Sequence, residues 1–179
     1  MVNIKELNWK MIIVIILCSL LIFFLAKYLI NMYSVEQPLL KQIKAIEGVR
    51  NVKLVENKEK TDISVELKKN VDFFAIYNTI NDKAQKQLSS NFGKLITEDN
   101  SNNRLDSLYH ELHFCIYEGI ATSKFTNMKT EMDQIITESN IKKYNLWVDN
   151  KNIYLQLIDG NNFLYKVISR NNRINYNLT

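Results

Sequence analysis

The chain has 179 residues, a formal net charge of +4, and only four glycines, one proline and two cysteines. So few glycines and prolines exclude a low-complexity or wall-spanning stalk. The weak charge, with no dense Lys/Arg cluster, argues against nucleic acid as a partner.

The first element is Met11-Ile-Ile-Val-Ile-Ile-Leu-Cys-Ser-Leu-Leu-Ile-Phe-Phe-Leu-Ala26, which contains no charge, glycine or proline. As a helix these residues span about 24 Å, and continuing through Lys27 to Ile30 gives about 30 Å, the thickness of a bilayer core. Lys27 can lay its stem along the helix and lift its ammonium to the interface. Trp9 at one end, and Tyr28 and Tyr33 at the other, fit interfacial aromatic belts. A cleaved signal peptide would need a small-x-small site, but Phe24 is too bulky in Phe24-Leu25-Ala26. A lipoprotein site at Cys18 is poor because Leu17 precedes it and the apolar run continues past it. The expectation is a tail over 1–10 and an uncleaved anchor over 11–33, in the cell membrane with a single pass. Lys5 and Lys10 against Glu6 favour a cytoplasmic tail and an extracytoplasmic domain.

Residues Val35 to Glu47 read as a helix, with Leu39, Ile43 and Ile46 on one face, Pro38 in the first turn and Gly48 as its cap. Val49 to Glu56 reads as a strand, Asn57 to Lys60 as a charged turn, and Thr61 to Lys68 as a second strand. The second strand alternates Ile63, Val65 and Leu67 with Asp62, Ser64, Glu66 and Lys68, as a half-buried strand does. Asp72 to Asn91 reads as a helix with the stripe Phe73, Tyr77, Ile80, Ala84 and Leu88. Lys94 to Thr97 reads as a short third strand, completing an αββαβ-like module over 34–98. The polar run from Glu98 to Asn103 reads as a linker and internal boundary.

The second part, 104–170, begins with a helix marked by Leu105, Leu108, Leu112 and Cys115, expected to break near Gly119. A second helix carries Phe125, Met128, Met132 and Ile135. Tyr144–Val148, Ile153–Ile158 and Phe163–Ile168 then read as an antiparallel meander, with turns at Asp149–Asn152 and Asp159–Asn162. The remainder, 171–179, reads as a loose polar tail. The fold class is therefore α+β behind a transmembrane helix.

Chemistry-bearing residues are sparse. Asp106, His110, His113 and Tyr117 step by four, three and four along one helix face, and a divalent metal accepts two imidazoles and a carboxylate at such spacing. His-Glu-Leu-His is not the HExxH pattern, however, and a polar helix face accounts for the same residues. Cys115 lies beside the apolar stripe, where an inert buried thiol is the ordinary case; a nucleophile would need a basic partner. No Gly-x-Ser-x-Gly elbow and no phosphate-cradling glycine loop occurs. Neither a catalytic residue nor a cofactor is expected. Trp147, Tyr154, Phe163 and Tyr165 cluster on the meander. Cross-strand core packing explains such rings, and an exposed patch of them would instead bind a protein partner.

The order helix, strand, strand, helix, short strand is carried by Ile46-Glu-Gly-Val49, Val52-Lys-Leu-Val55, Thr61-Asp-Ile-Ser-Val65 and the helix from Asp72. Over 35–97 it resembles the ring-building modules of bacterial envelope assemblies, found in sporulation channels and in secretion and flagellar rings. The resemblance implies lateral packing of subunits and no catalysis. Heavy use of Asn, Ile and Lys matches an AT-rich genome such as that of a low-GC Gram-positive bacterium. The expectation is a non-enzymatic assembly or scaffold component acting through protein partners or self-association. A membrane-tethered binding or sensor subunit is the alternative, and a metal- or thiol-dependent enzyme the third.

Overall fold

The computed structural model describes residues 9–31, 36–57, 60–141 and 143–171. The outermost parts of the two expected tails, residues 1–8 and 172–179, lie outside them, as do 32–33 at the end of the expected anchor.

Helix α1 (Trp9–Asn31) is long and apolar enough to cross a membrane, and none of its apolar window is buried against the rest of the chain. Helix α2 (Gln37–Lys44) is shorter than the 35–47 expected. It carries Pro38 in its first turn, buries Leu39 and Ile43, and leaves Ile46 beyond its end. Gly48 follows with φ +96°, a conformation open to glycine at little cost. A Cβ there would lie 2.6 Å from Ile76 Cδ1, so the turn also requires close approach.

Strands β1 (Val49–Asn57) and β2 (Lys60–Leu67) pair antiparallel. Helix α3 (Phe73–Leu88) starts where the Asp72 carboxylate accepts the Ala75 N–H at 3.0 Å. Its buried positions are Phe73, Ile76, Ile80, Ala84 and Leu88; Ile76 takes the place expected for Tyr77, which is half-buried. After a 3-10 turn (Ser89–Asn91), β3 (Phe92–Glu98) pairs parallel to β2, giving the order β1-β2-β3. Ile63, Val65 and Leu67 of β2 face α2 and α3 in a first core. On the opposite face, Asp62 accepts the Lys94 N–H at 2.9 Å and Ser64 Oγ donates to Glu98 at 2.7 Å. These bonds satisfy the buried polar side chains of β2.

Helices α4 (Asn103–Thr122) and α5 (Phe125–Glu138) precede a second sheet of β4 (Lys143–Val148), β5 (Asn152–Asp159) and β6 (Asn162–Ser169), all antiparallel in the order β4-β5-β6. The sheet is buried on both faces along β5. Ile153, Leu155 and Leu157 meet Leu105, Leu108, Leu112 and Ile116 of α4 and Met128, Met132 and Ile136 of α5 in a second core. Tyr154 and Ile158 point the other way, into the first core. The period-2 alternation of one strand thus feeds two hydrophobic cores.

Two expectations about this half are corrected. Helix α4 does not break at Gly119 but runs on to Thr122. Gly119 is where α5 crosses: an added Cβ would lie 2.6–2.9 Å from Met128 Sδ, Cβ and Cγ. Helix propensity favours alanine by about 1 kcal/mol, yet overpacking costs about 1–3 kcal/mol. Gly119→Ala is therefore expected to destabilise by about 1 kcal/mol in urea unfolding. A stabilised variant would mean that Met128 moves aside without cost.

The second correction concerns 98–103, which does not run free. Asn100 exchanges both backbone hydrogen bonds with Phe163, at 3.0 and 3.1 Å. The Asp99 carboxylate accepts the Tyr165 N–H at 2.7 Å and the Lys166 ammonium at 2.8 Å. The polar side chains that suggest a linker are the ones that fasten β3 to β6.

Candidate interaction face on the fourth helix

Asparagine and serine set the start of α4. The Asn102 side chain caps the helix by accepting the Leu105 N–H at 2.9 Å, and Ser101 Oγ donates to Asp106 at 2.7 Å. Asp106 is thus engaged in the helix entrance. His110 is exposed, and His113 is half-buried between aromatic neighbours, 4.3 Å from the stacked Tyr117 ring and 6.2 Å from the edge-on Tyr109 ring. Among the described residues no three His, Cys, Asp or Glu side chains converge to hold a metal ion. The helical spacing of Asp106, His110 and His113 is real, but Asp106 is engaged by Ser101, and among the described residues no further ligand joins the row to complete a coordination shell.

Cys115 lies on another side of the helix. At about 100° per residue it is some 200° around from His113 and 140° from His110, so neither imidazole can serve the thiol as base. Burial holds the thiol above its ordinary range, and Glu131 adds to this by its charge and by accepting a hydrogen bond. A nucleophilic cysteine requires the opposite shift.

The aromatic patch expected on the meander is largely an interior. Tyr154, Tyr165 and Phe163 are 1%, 2% and 5% exposed. Their rings surround Phe73, with Tyr165 at 4.7 Å and Tyr154 at 6.3 Å, and Phe163 packs on Tyr165 at 5.3 Å. Trp147 is half-buried and stacked on Phe74 at 6.2 Å. The three buried rings therefore offer no docking surface, which corrects that expectation. They can be buried because their polar ends find partners. Tyr165 Oη donates to the Lys68 carbonyl at 2.8 Å, Tyr154 Oη donates to Asp149 at 2.8 Å, and Gln156 Nε2 donates to the Lys69 carbonyl at 3.1 Å. Burial pushes the Tyr165 phenol up to about 12, so it stays a neutral donor.

The most exposed aromatic side chain described outside α1 is instead that of Phe114. It is 78% exposed, more than any other large apolar side chain described outside α1. With His110, Tyr117 and Ala121 it forms one outward face of α4, opposite the buried Leu105, Leu108, Leu112 and Ile116. Sequence reasoning placed His110 and Tyr117 on that face but passed over Phe114. Counting four residues on from His110 would have found it. No protein-family model and no curated protein matches this chain.

Proposed function

We propose that this chain is a non-enzymatic, single-pass bacterial envelope protein that works as an assembly or scaffold component through protein–protein contacts. The observation that carries this reading is the face of α4 around Phe114: a folded domain behind an apolar, membrane-length helix holds out a phenylalanine ring that is 78% exposed, beside the 38% exposed Tyr117. An aromatic ring carried outward on a regular helix is a side chain of the kind that anchors protein–protein contacts. The order of elements from α2 to β3 supports the same reading through its resemblance to ring-building modules.

The domain would act outside the cytoplasm. A membrane-impermeant maleimide should reach a Lys151→Cys probe in intact cells freed of wall barriers, above the labelling of the parent chain. Labelling only after lysis would reverse the orientation. For assembly, the full-length protein extracted from native membranes in mild detergent should migrate as a defined oligomer or hetero-complex, and affinity purification should recover its partners. A monomer with no co-purifying protein would leave a simple tethered domain in place of an assembly part.

A further inference from the structure

Covalent reach holds helix α2 close to the bilayer. Six residue steps separate Asn31, the last residue of α1, from Gln37, the first of α2. An extended chain covers at most about 3.6 Å per residue, so the two ends lie within about 20 Å of each other. The headgroup layer beyond the hydrocarbon takes up about 5–8 Å of that reach. Helix α2 itself is about 12 Å long, so it is the element of the folded domain that the chain ties to the membrane surface.

The exposed side of α2 is basic. With Lys41 as its centre, Gln37 and Lys44 lie about 40° and 60° to one side, and the buried Leu39 and Ile43 lie opposite. Gln37, Lys41 and Lys44 are all exposed. Glu36, at the N-cap, is about 140° around from Lys41, and Glu47 follows beyond the C-cap at Ala45. Between α2 and β1 runs an open groove of about 430 Å³, in which Leu40, Ala45 and Val52 give the apolar lining and Lys41, Lys44 and Asn51 the polar one. Lys41 forms no ion pair with any described residue, whereas Arg50 and Lys53 of β1 are paired with Glu66 at 2.8 Å and Glu98 at 3.8 Å. Lys44 donates to the Arg50 carbonyl, which leaves two of its three N–H donors for another acceptor.

We infer that α2 lies on the bilayer surface and that Lys41 and Lys44 bind the phosphates of anionic phospholipids in the leaflet where α1 ends. The inference rests on α1 being a membrane anchor and is independent of the assembly reading. A lysine near an anionic surface contributes about a fivefold preference, and the effect fades within a Debye length of about 8 Å. Two lysines would hold a freely diffusing domain only weakly. The tether makes the contact an intramolecular one at high effective concentration, so two suffice. Tether length also singles out this occupant, because the headgroups are within reach of this face before any diffusing partner arrives. The apolar lining of the groove beside the lysines suits the glycerol-ester region just beneath the phosphates.

The test uses the full chain, reconstituted in vesicles of phosphatidylcholine alone or of phosphatidylcholine and phosphatidylglycerol in equal parts. In a Cys18→Ala, Cys115→Ala background, bimane is attached at Ala45→Cys, beside the groove. A nitroxide carried on phosphatidylcholine headgroups should quench this probe severalfold more in the mixed vesicles than in the neutral ones. The same probe at Thr126→Cys, on α5 across the second sheet from the first core, should stay unquenched in both. Lys41→Gln with Lys44→Gln should lower the docked-to-free ratio by about thirtyfold, at about fivefold per lysine. Raising the salt should release the unsubstituted chain as well, which separates lost charge from a lost fold. Equal quenching in the two lipids would mean that the tether alone brings α2 to the surface, and overturns the inference. Absence of quenching overturns it too. Quenching that follows protein density rather than lipid charge would put a second copy on this face, with the same consequence. Flotation with the vesicles in alkaline carbonate separates the failures. A chain that stays bound without charge-dependent quenching leaves the anchor standing and this surface wrong, and one that is stripped off removes both.

Discussion

Phe73→Ala is expected to lower the unfolding free energy by about 3–5 kcal/mol, the range for removing a fully buried phenylalanine. Phe73 is the first residue of α3, is fully buried, and stands where the two sheets meet. Its ring contacts Tyr165 at 4.7 Å, Tyr77 at 5.9 Å and Tyr154 at 6.3 Å. The void left by alanine is lined by side chains whose hydroxyls are already tied down. Tyr165 is held by the Lys68 and Lys69 carbonyls and Tyr154 by Asp149 and Asn78, so neither can swing in to fill it. Alanine does not weaken the helix itself, so the loss reports packing alone. Urea unfolding of the full chain in detergent, followed by near-ultraviolet circular dichroism, should show the reduced midpoint together with a weaker aromatic signal. A loss below about 1 kcal/mol would mean that the junction collapses freely around residue 73.

How much of this was legible depends on whether the partner of each residue is local. The i, i+4 stripes of α2 and α4 and the inward Ile63, Val65 and Leu67 of β2 follow from the chain's own periodicity, but that periodicity reads the polar face of β2 as open to solvent, whereas the fold buries Asp62 and Ser64 there. The second buried face of β5 was not legible. Tyr154 and Gln156 alternate with Ile153, Leu155 and Leu157, and local pattern assigns their side of the strand to solvent or a partner. The groups that accept their hydrogen bonds, at Asn78 and the Lys69 carbonyl, lie more than seventy residues away in sequence. Gly119 misled for a related reason. Its low helix propensity is a local fact, whereas the Met128 side chain that requires it belongs to the next helix. On the candidate face, Asp106, His110, His113 and Tyr117 were grouped by chemistry, and that grouping hid Phe114. Its position between His110 and Tyr117 is as plain in the sequence as theirs.

Leu112→Ala is expected to cost about 2–5 kcal/mol, and the cost should be felt in the core that Leu112 does not touch. Leu112 is fully buried among α4, α5 and the Leu155 face of β5, in the second core. Trp147 packs with Phe74 against the first. The two cores share β5 and β6, whose alternate side chains enter one or the other, so neither can lose its packing while the strands hold their register for the other. Asn100 and Asp99 add backbone and charged links between β3 and β6. The domain should therefore unfold as one two-state unit. In a Trp9→Phe background, Trp147 fluorescence should report the same urea midpoint as helical circular dichroism, and Leu112→Ala should move both together. The Phe73→Ala and Leu112→Ala losses should add, because the two sites share no contact. If Leu112→Ala shifted the helical signal and left the Trp147 transition in place, the two cores would be separate folding units.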